Sequence, residues 1–207
     1  MLNSYWGKAK ESKNNLKVCD DEDSVKDEFV EKEDNHIYFY SEVITKPVLD
    51  LIKGLNDLSK DLRINAIKFG RTDPDPIKLH INSRGGVTSH SFAVLDTILR
   101  IRKEVPVHTI VEGTCASAAT IIALGGTKRF MGENSHYLIH QLSHIFWGTY
   151  TEFQDEQKNL DTLMVKVKEI YTRYTKVPRE ELEGILKHDL WWDAQKSLEY
   201  GVIDNIL

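Results

Sequence analysis

Basic residues are outnumbered in this chain, cysteine is scarce, and no apolar run is long enough to span a bilayer. Lys and Arg total 27 against 32 Asp and Glu in 207 residues, a formal net charge of −5. A nucleic-acid binder needs a basic patch to neutralise phosphates, and this balance argues against one. The lack of a stretch of about 20 apolar residues argues against a membrane span. The opening residues lack the basic-then-apolar layout of a secretory signal. No arginine precedes Arg63, and Asp20-Asp21-Glu22-Asp23 is acidic, which does not suit an organelle transit peptide. The two cysteines, Cys19 and Cys115, lie far apart and form no motif. A reduced, cytoplasmic protein is the expectation. The length fits one domain with a real core.

Residues 1–35 are polar and rich in Lys, Asp, Glu and Asn, which predicts a mobile N-terminal extension. The ordered body is expected over 36–207, starting with a short strand at Ile37 to Tyr40. Pro47 suits a first helical turn, and Val48, Leu51, Ile52 and Leu55 carry helical spacing to about Leu62. Residues 63–76 read as a loop, punctuated by Asp73-Pro74-Asp75-Pro76. Strands follow at Ile77 to Asn82 and Val107 to Val111. Two short ones are expected at Arg129 to Met131 and His136 to His140. Helices are expected from Thr88 and from Ser117, and a long amphipathic one through Phe153, Leu160, Leu163, Met164, Val167, Ile170 and Tyr174. Pro178 opens a shorter helix, and Asp193 is placed to cap the last one. Strands alternating with helices imply an α/β fold with largely parallel pairing.

The chemistry concentrates in three places. Gly113-Thr114-Cys115-Ala116-Ser117-Ala118-Ala119 puts a serine among small residues at a strand-to-helix turn. There a substrate backbone can come close, and a helix start offers free N–H groups to an anion. Ser117 is the candidate nucleophile, although a small residue packing a helix on a sheet would look the same in isolation. His140, in Tyr137-Leu138-Ile139-His140-Gln141, is the candidate base. His136 and His144 compete, each four residues away, which is metal-ligand spacing on a helix. In a strand that spacing spans about 13 Å, too far for one ion, so no metal and no other cofactor is expected. Asp189 is the candidate orienting acid, with Asp161, Asp193 and Asp204 also available. Trp191 and Trp192 stand close enough in sequence to shield it from water. Gly85-Gly86 is a turn where backbone can approach a ligand. An N–H there, with that of Ala118, would hold an oxyanion.

With Ile81-Asn82-Ser83-Arg84-Gly85-Gly86, Gly113 through Ala119, Ile139-His140-Gln141, and Leu198-Glu199-Tyr200-Gly201-Val202-Ile203-Asp204 in this order, the chain resembles the ClpP family, the proteolytic subunits of the ATP-dependent Clp protease. The resemblance runs from about His36 to Leu207. It implies a crotonase-like α/β spiral of βαβ units with a protruding handle helix at about 150–174. It implies a serine endopeptidase with Ser117, His140 and Asp189 as the catalytic triad, and with Gly86 and Ala118 as oxyanion donors. Gly85, Arg84 and Leu142 fall on the substrate groove. Two seven-membered rings would stack into a self-compartmentalised tetradecamer that cuts unfolded proteins and peptides. An AAA+ unfoldase such as ClpX or ClpA would feed it.

Arg84 departs from the family's usual proline, which places a cation beside the groove to alter cleavage preference or pair with an acidic neighbour. Leu142-Ser143-His144-Ile145-Phe146-Trp147-Gly148 replaces a Pro- and Gly-rich stretch. Residues 63–76 are longer than the usual connection, the N-terminal segment is not an apolar gate, and the chain lacks the usual short C-terminal tail. Such a compact, divergent form fits a virus-encoded protein or a paralogue. Two other readings compete: a catalytically inactive ring subunit or scaffold, and a crotonase-type acyl-CoA enzyme of the same fold.

Overall fold

A computed structural model describes residues 29–207. The parallel strands and their crossover helices come first in the chain. Strand β1 (Phe29–Glu33) pairs antiparallel with β2 (His36–Tyr40), and the turn between them puts Asp34 at φ 51°. Helix α1 (Thr45–Lys68) leads to β3 (Ile77–Ser83), α2 (Thr88–Ile101) to β4 (Val107–Ala116), and α3 (Ala118–Ala123) to β5 (Lys128–Met131). Strand β6 (His136–Leu138), helices α4 (Tyr150–Tyr174), α5 (Arg179–Leu186) and α6 (Ala194–Glu199), and the short β7 (Asn205–Ile206) complete the chain. The sheet order is β1-β2-β3-β4-β5-β7, with β6 also on β4, and every pairing except β1–β2 is parallel.

On the edge away from β3, the long strand β4 serves two partners. His108 to Val111 pairs with β5, and Thr114 to Ala116 pairs with β6. Between them Gly113 takes φ 69°, and a side chain there would meet the Asn82 amide at 3.2 Å. Asn82 Oδ1 accepts from the Thr114 N–H at 3.2 Å, and the β3–β4 register shifts at the same point. This irregularity carries the second half of β4 onward to the Ser117 turn.

The core lies between the sheet and the helices packed on it. Leu51, Leu55, Leu79, Ile81, Ile98 and Ile122 are fully buried. Burial of each such side chain contributes about 1.5–3 kcal/mol.

Three sequence expectations change. The sheet begins at Phe29, inside the stretch read as an extension; the rest of that stretch, residues 1–28, lies outside the described residues. In β1 Val30 packs on the core while Glu31, Lys32 and Glu33 are exposed, so no alternation marked the strand. Helix α1 runs six residues past Leu62, through half of the expected loop. Ala66 is buried one turn after Leu62, but Ile64 and Ile67 are exposed, and that broke the apolar periodicity. The helix stops at Gly70, φ 64°, where Gly70 N–H donates to Ile67 O and Arg71 N–H to Ala66 O, a left-handed glycine closure. Strand β6 ends at Leu138, two residues before the expected His140.

Helix α4 starts with a reciprocal cap between Thr149 and Glu152. Only Val167, Ile170 and Tyr171 are buried along it, so its apolar stripe meets the core just in the last third.

Candidate active site

Ser117 sits where β4 ends and α3 begins, at φ 54° and ψ −127°. A non-glycine residue in this region is strained by about 1–3 kcal/mol, and surrounding bonds must hold it there. Ser117 N–H donates to Leu138 O at 2.9 Å, tying the turn to β6. Its carbonyl accepts from the N–H of Thr120 at 3.0 Å and from the Thr120 hydroxyl. Thr120 Oγ1 is also bonded to the Tyr171 hydroxyl of α4 at 2.6 Å, and Tyr137 Oη donates to Thr120 O at 3.1 Å. Burial raises the Tyr171 and Tyr137 phenols well above their ordinary value, so both stay neutral.

His140 follows β6 and is half-buried. Its Nε2 lies 2.7 Å from Ser117 Oγ, and its Nδ1 lies 2.9 Å from Asp189 Oδ1. Asp189 lies in the connection from α5 to α6. Two contacts bring that connection over the imidazole: Gln141 N–H donates to Leu186 O at 2.7 Å, and Tyr137 and Trp192 exchange backbone bonds of 2.9 and 2.7 Å. The expected tryptophan shield over Asp189 does not form. Trp192 turns into the core, stacked on Tyr200, and Trp191 is half-exposed, so the Asp189 side chain is 75% exposed.

The competing residues are engaged elsewhere. Asp193 caps α6 through the Lys196 N–H at 2.8 Å, as its position in sequence suggested. Asp204 pairs with Arg129; burial raises its carboxyl, but the guanidinium outweighs this and holds it below the usual range. Asp161 accepts from Gln157 on exposed α4. His136 lies edge-on to Trp191, and His144 pairs with Glu156 at 2.9 Å, so neither ring joins His140. Cys115 is fully buried, and burial lifts its thiol far above the ordinary value, which leaves it inert. Cys19 lies outside the described residues.

Gly85 and Gly86 take φ 101° and 146°. A side chain on Gly85 would stand 2.6 Å from Ser117 Cβ, and one on Gly86 would stand 2.7 Å from Val43 O. Val43 N–H donates to Gly85 O and Val87 N–H to Val43 O, both at 2.8 Å, which pins this segment. Among the described residues no acceptor takes the N–H of Gly86 or of Ala118.

Two depressions meet at Ser117 and His140. One, about 50 Å³, is walled by Gly86, Ala118, Ile121, Leu142, Val167 and Tyr171. The other, about 480 Å³, is walled by Arg84, Thr114, Leu138, Asp189 and Trp191. Sequence reasoning placed Ser117, His140, Asp189, Gly85, Gly86, Ala118, Arg84 and Leu142 here. It missed Thr120, Tyr137 and Tyr171 behind the turn, Val43 under the glycines, and Trp191 as a wall. Only Thr120, one turn after the serine, carried a local signal.

Comparison with known proteins places this arrangement. The family model described as Clp protease matches residues 31–207. A protein named ATP-dependent Clp protease proteolytic subunit 2 from Treponema denticola is 38% identical over 133 residues, 63% of this chain and 66% of that protein. One of the same name from Bacillus licheniformis is 35% identical over 133 residues, 63% of this chain and 69% of that protein. The chain thus spans about two thirds of the length of each of these relatives. The solved structure of a ClpP1 point mutant from Listeria monocytogenes superposes with a TM-score of 0.68 at 24% identity, covering 84% of this chain and 91% of that one. The shared α/β fold agrees with the spiral expected from the sequence. The four motifs, the serine-bearing turn and the match over nearly all of the described residues lead to one conclusion: this chain belongs to the Clp protease family, as a ClpP-type protein.

Proposed function

We propose that this chain is a serine endopeptidase that cuts unfolded proteins and peptides. The observation that carries the reading is the imidazole of His140 held between Ser117 Oγ at 2.7 Å and Asp189 Oδ1 at 2.9 Å. In this mechanism Ser117 Oγ attacks the scissile carbonyl while His140 Nε2 takes its proton. Asp189 accepts from Nδ1–H, fixing the tautomer and favouring the imidazolium. The unpartnered N–H groups of Gly86 and Ala118 receive the oxyanion. His140 then protonates the leaving amine, and water attacks the acyl-enzyme with His140 again as base. No step calls on a metal or an organic cofactor.

The relatives' names speak of a proteolytic subunit in an ATP-dependent protease. By analogy the present chain works inside a homo-oligomer, with stacked heptameric rings as the expected form and a separate AAA+ unfoldase of the ClpX or ClpA kind as energy source. A cytoplasmic location suits such a machine, and among the described residues no helix is long and apolar enough to cross a membrane. The assembled relay weighs against an inactive scaffold and is foreign to acyl-CoA chemistry.

Ser117→Ala is expected to abolish hydrolysis of short fluorogenic peptides and labelling by a fluorophosphonate, with an unchanged thermal midpoint. Full turnover by that variant would end the assignment.

A further inference from the structure

The larger depression beside Ser117 contains a cation without a partner. Arg84 follows the end of β3 and is exposed, and among the described residues its guanidinium makes no hydrogen bond or ion pair. Five arginines of the body are occupied, among them Arg71 by Asp75, Arg129 by Asp204 and Arg102 by Gly125 O, whereas Arg173 and Arg179 lie away from Ser117 between α4 and α5. The one carboxylate that walls the Arg84 depression, Asp189, already accepts from His140 Nδ1 at 2.9 Å. It is engaged by His140 and makes no ion pair with Arg84. The exposed indole of Trp191 forms part of the same wall.

The two depressions flanking Ser117 therefore differ in chemistry. The small one mixes Ile121, Leu142 and Val167 with Thr88, Gln141 and Ser143, holds no Lys, Arg, Asp or Glu, and has room for little beyond a small uncharged group. The larger one is open and holds a guanidinium that, among the described residues, no carboxylate pairs. A peptide laid across Ser117 offers one side chain to each. Arg84 also borders a third depression, whose lining includes Tyr40, Glu42 and Asn82. The Glu42 carboxylate there repels an anion, which confines an acidic group to the Ser117 side of Arg84.

We propose that Arg84 is a specificity-determining residue that selects peptides with Asp or Glu within two residues of the scissile bond, opposite the residue seated in the smaller, uncharged depression. This rests on the peptidase reading above and adds the substrate class to it. The guanidinium offers a bidentate fit to a carboxylate. Because the site is open to water, the preference is that of one exposed ion pair, about 2- to 5-fold in kcat/KM, and salt weakens it.

The test uses the full chain and quenched peptides that differ only by Glu, Gln or Lys at the two positions on either side of the cleaved bond, with cut sites read by mass spectrometry. Wild type is expected to favour Glu over Gln by about 2- to 5-fold on one side only, less so at about 0.5 M salt. Arg84→Lys is expected to keep most of that ratio, Arg84→Gln to bring it to about one, and Arg84→Glu to turn the preference toward Lys. Cleavage of the neutral peptide by wild type with a Glu-to-Gln ratio of one, or a ratio that survives Arg84→Gln, overturns the role of Arg84 and leaves the peptidase reading standing. If no peptide is cut and Ser117 takes no fluorophosphonate, both fall.

Discussion

Ser117 is held at a positive φ by its neighbours rather than by its own preference, and the two glycines beside it are fixed in the same way. Gly86 at φ 146° leaves no room for a side chain, because Val43 O stands 2.7 Å from where a Cβ would be. Gly86→Ala must therefore move the backbone and with it the N–H offered to the oxyanion. We expect about a 100-fold or greater loss in kcat, the scale of one missing oxyanion donor, with the fold retained by circular dichroism. Near-normal kcat would remove Gly86 from the oxyanion site. Asp189 makes a different case. At 75% exposure it works in high dielectric, so its pull on the imidazolium is weaker than that of a buried carboxylate. Asp189→Asn is expected to lower kcat about 10- to 1000-fold, short of the ~10⁴ seen when a buried triad aspartate is replaced. A loss equal to that of Ser117→Ala would contradict this open setting.

At the scale of elements, α4 reaches the site from behind. Its Tyr171 hydroxyl bonds Thr120 Oγ1, which in turn bonds Ser117 O. Tyr171→Phe removes one buried partner and is expected to cost about 1–3 kcal/mol, read as a lower urea midpoint, together with reduced kcat at unchanged KM. Unaltered stability and rate would separate α4 from the nucleophile's turn. On the sheet face away from α1 and α2, His36 Nδ1 meets His80 Nε2 at 2.8 Å, and His80 Nδ1 meets Glu112 Oε1 at 2.9 Å. Tyr40 donates to the other Glu112 oxygen, and burial together with that bond pushes its phenol up to about 12. His36 is held below its ordinary 6.5 by burial, Lys78 and His80, and His108 by burial, Lys128 and Lys78. The folded chain thus binds fewer protons than the unfolded one just below pH 6.5. Stability from these rings is complete above that pH and falls as pH drops through it toward the lowered folded values. A urea midpoint lower at about pH 5.5 than at about pH 7.5, with the difference narrowed by His36→Gln and His108→Gln together, is the expected result. A difference that persists undiminished in that double variant would assign it to other groups.

At the scale of the whole molecule, apolar surface gathers around the start of α4. Ile145 and Trp147 are 98% exposed, Tyr150 79% and Phe153 58%. A contiguous patch of this kind marks an interface, which fits the proposed homo-oligomer. Trp147→Lys with Ile145→Lys is expected to shift the particle to a smaller mass by native mass spectrometry, while the core keeps its thermal midpoint. An unchanged mass would move the contact elsewhere. A cavity of about 800 Å³ between α4 and α5 lies away from Ser117 and mixes Lys168, Arg173 and Arg179 with Glu169 and Glu183. No serine, cysteine or histidine lines it, and it plays no part in the proposed chemistry.

The strands and helices that build the site were legible wherever burial on one face imposes a period: Ile77 to Asn82, Val107 to Val111 and the repeat from Val48 to Leu55. The turn at Gly85-Gly86 and the helix starts at Pro178 and Asp193 were equally plain, because φ, a missing N–H and a cap are properties of single residues. So was the candidate nucleophile, set among residues too small to cover it. What lacked a local signature went unread. Strand β1 exists through pairing with β2, and the last turn of α1 exposes Ile67 and Phe69 rather than burying them. The meeting of His140 with Asp189, 49 residues on, depends on the backbone exchange between Tyr137 and Trp192. Local dihedral preference and hydrophobic period are written along the chain, whereas which aspartate faces the imidazole, and whether water or tryptophan covers it, is settled only when distant segments pack.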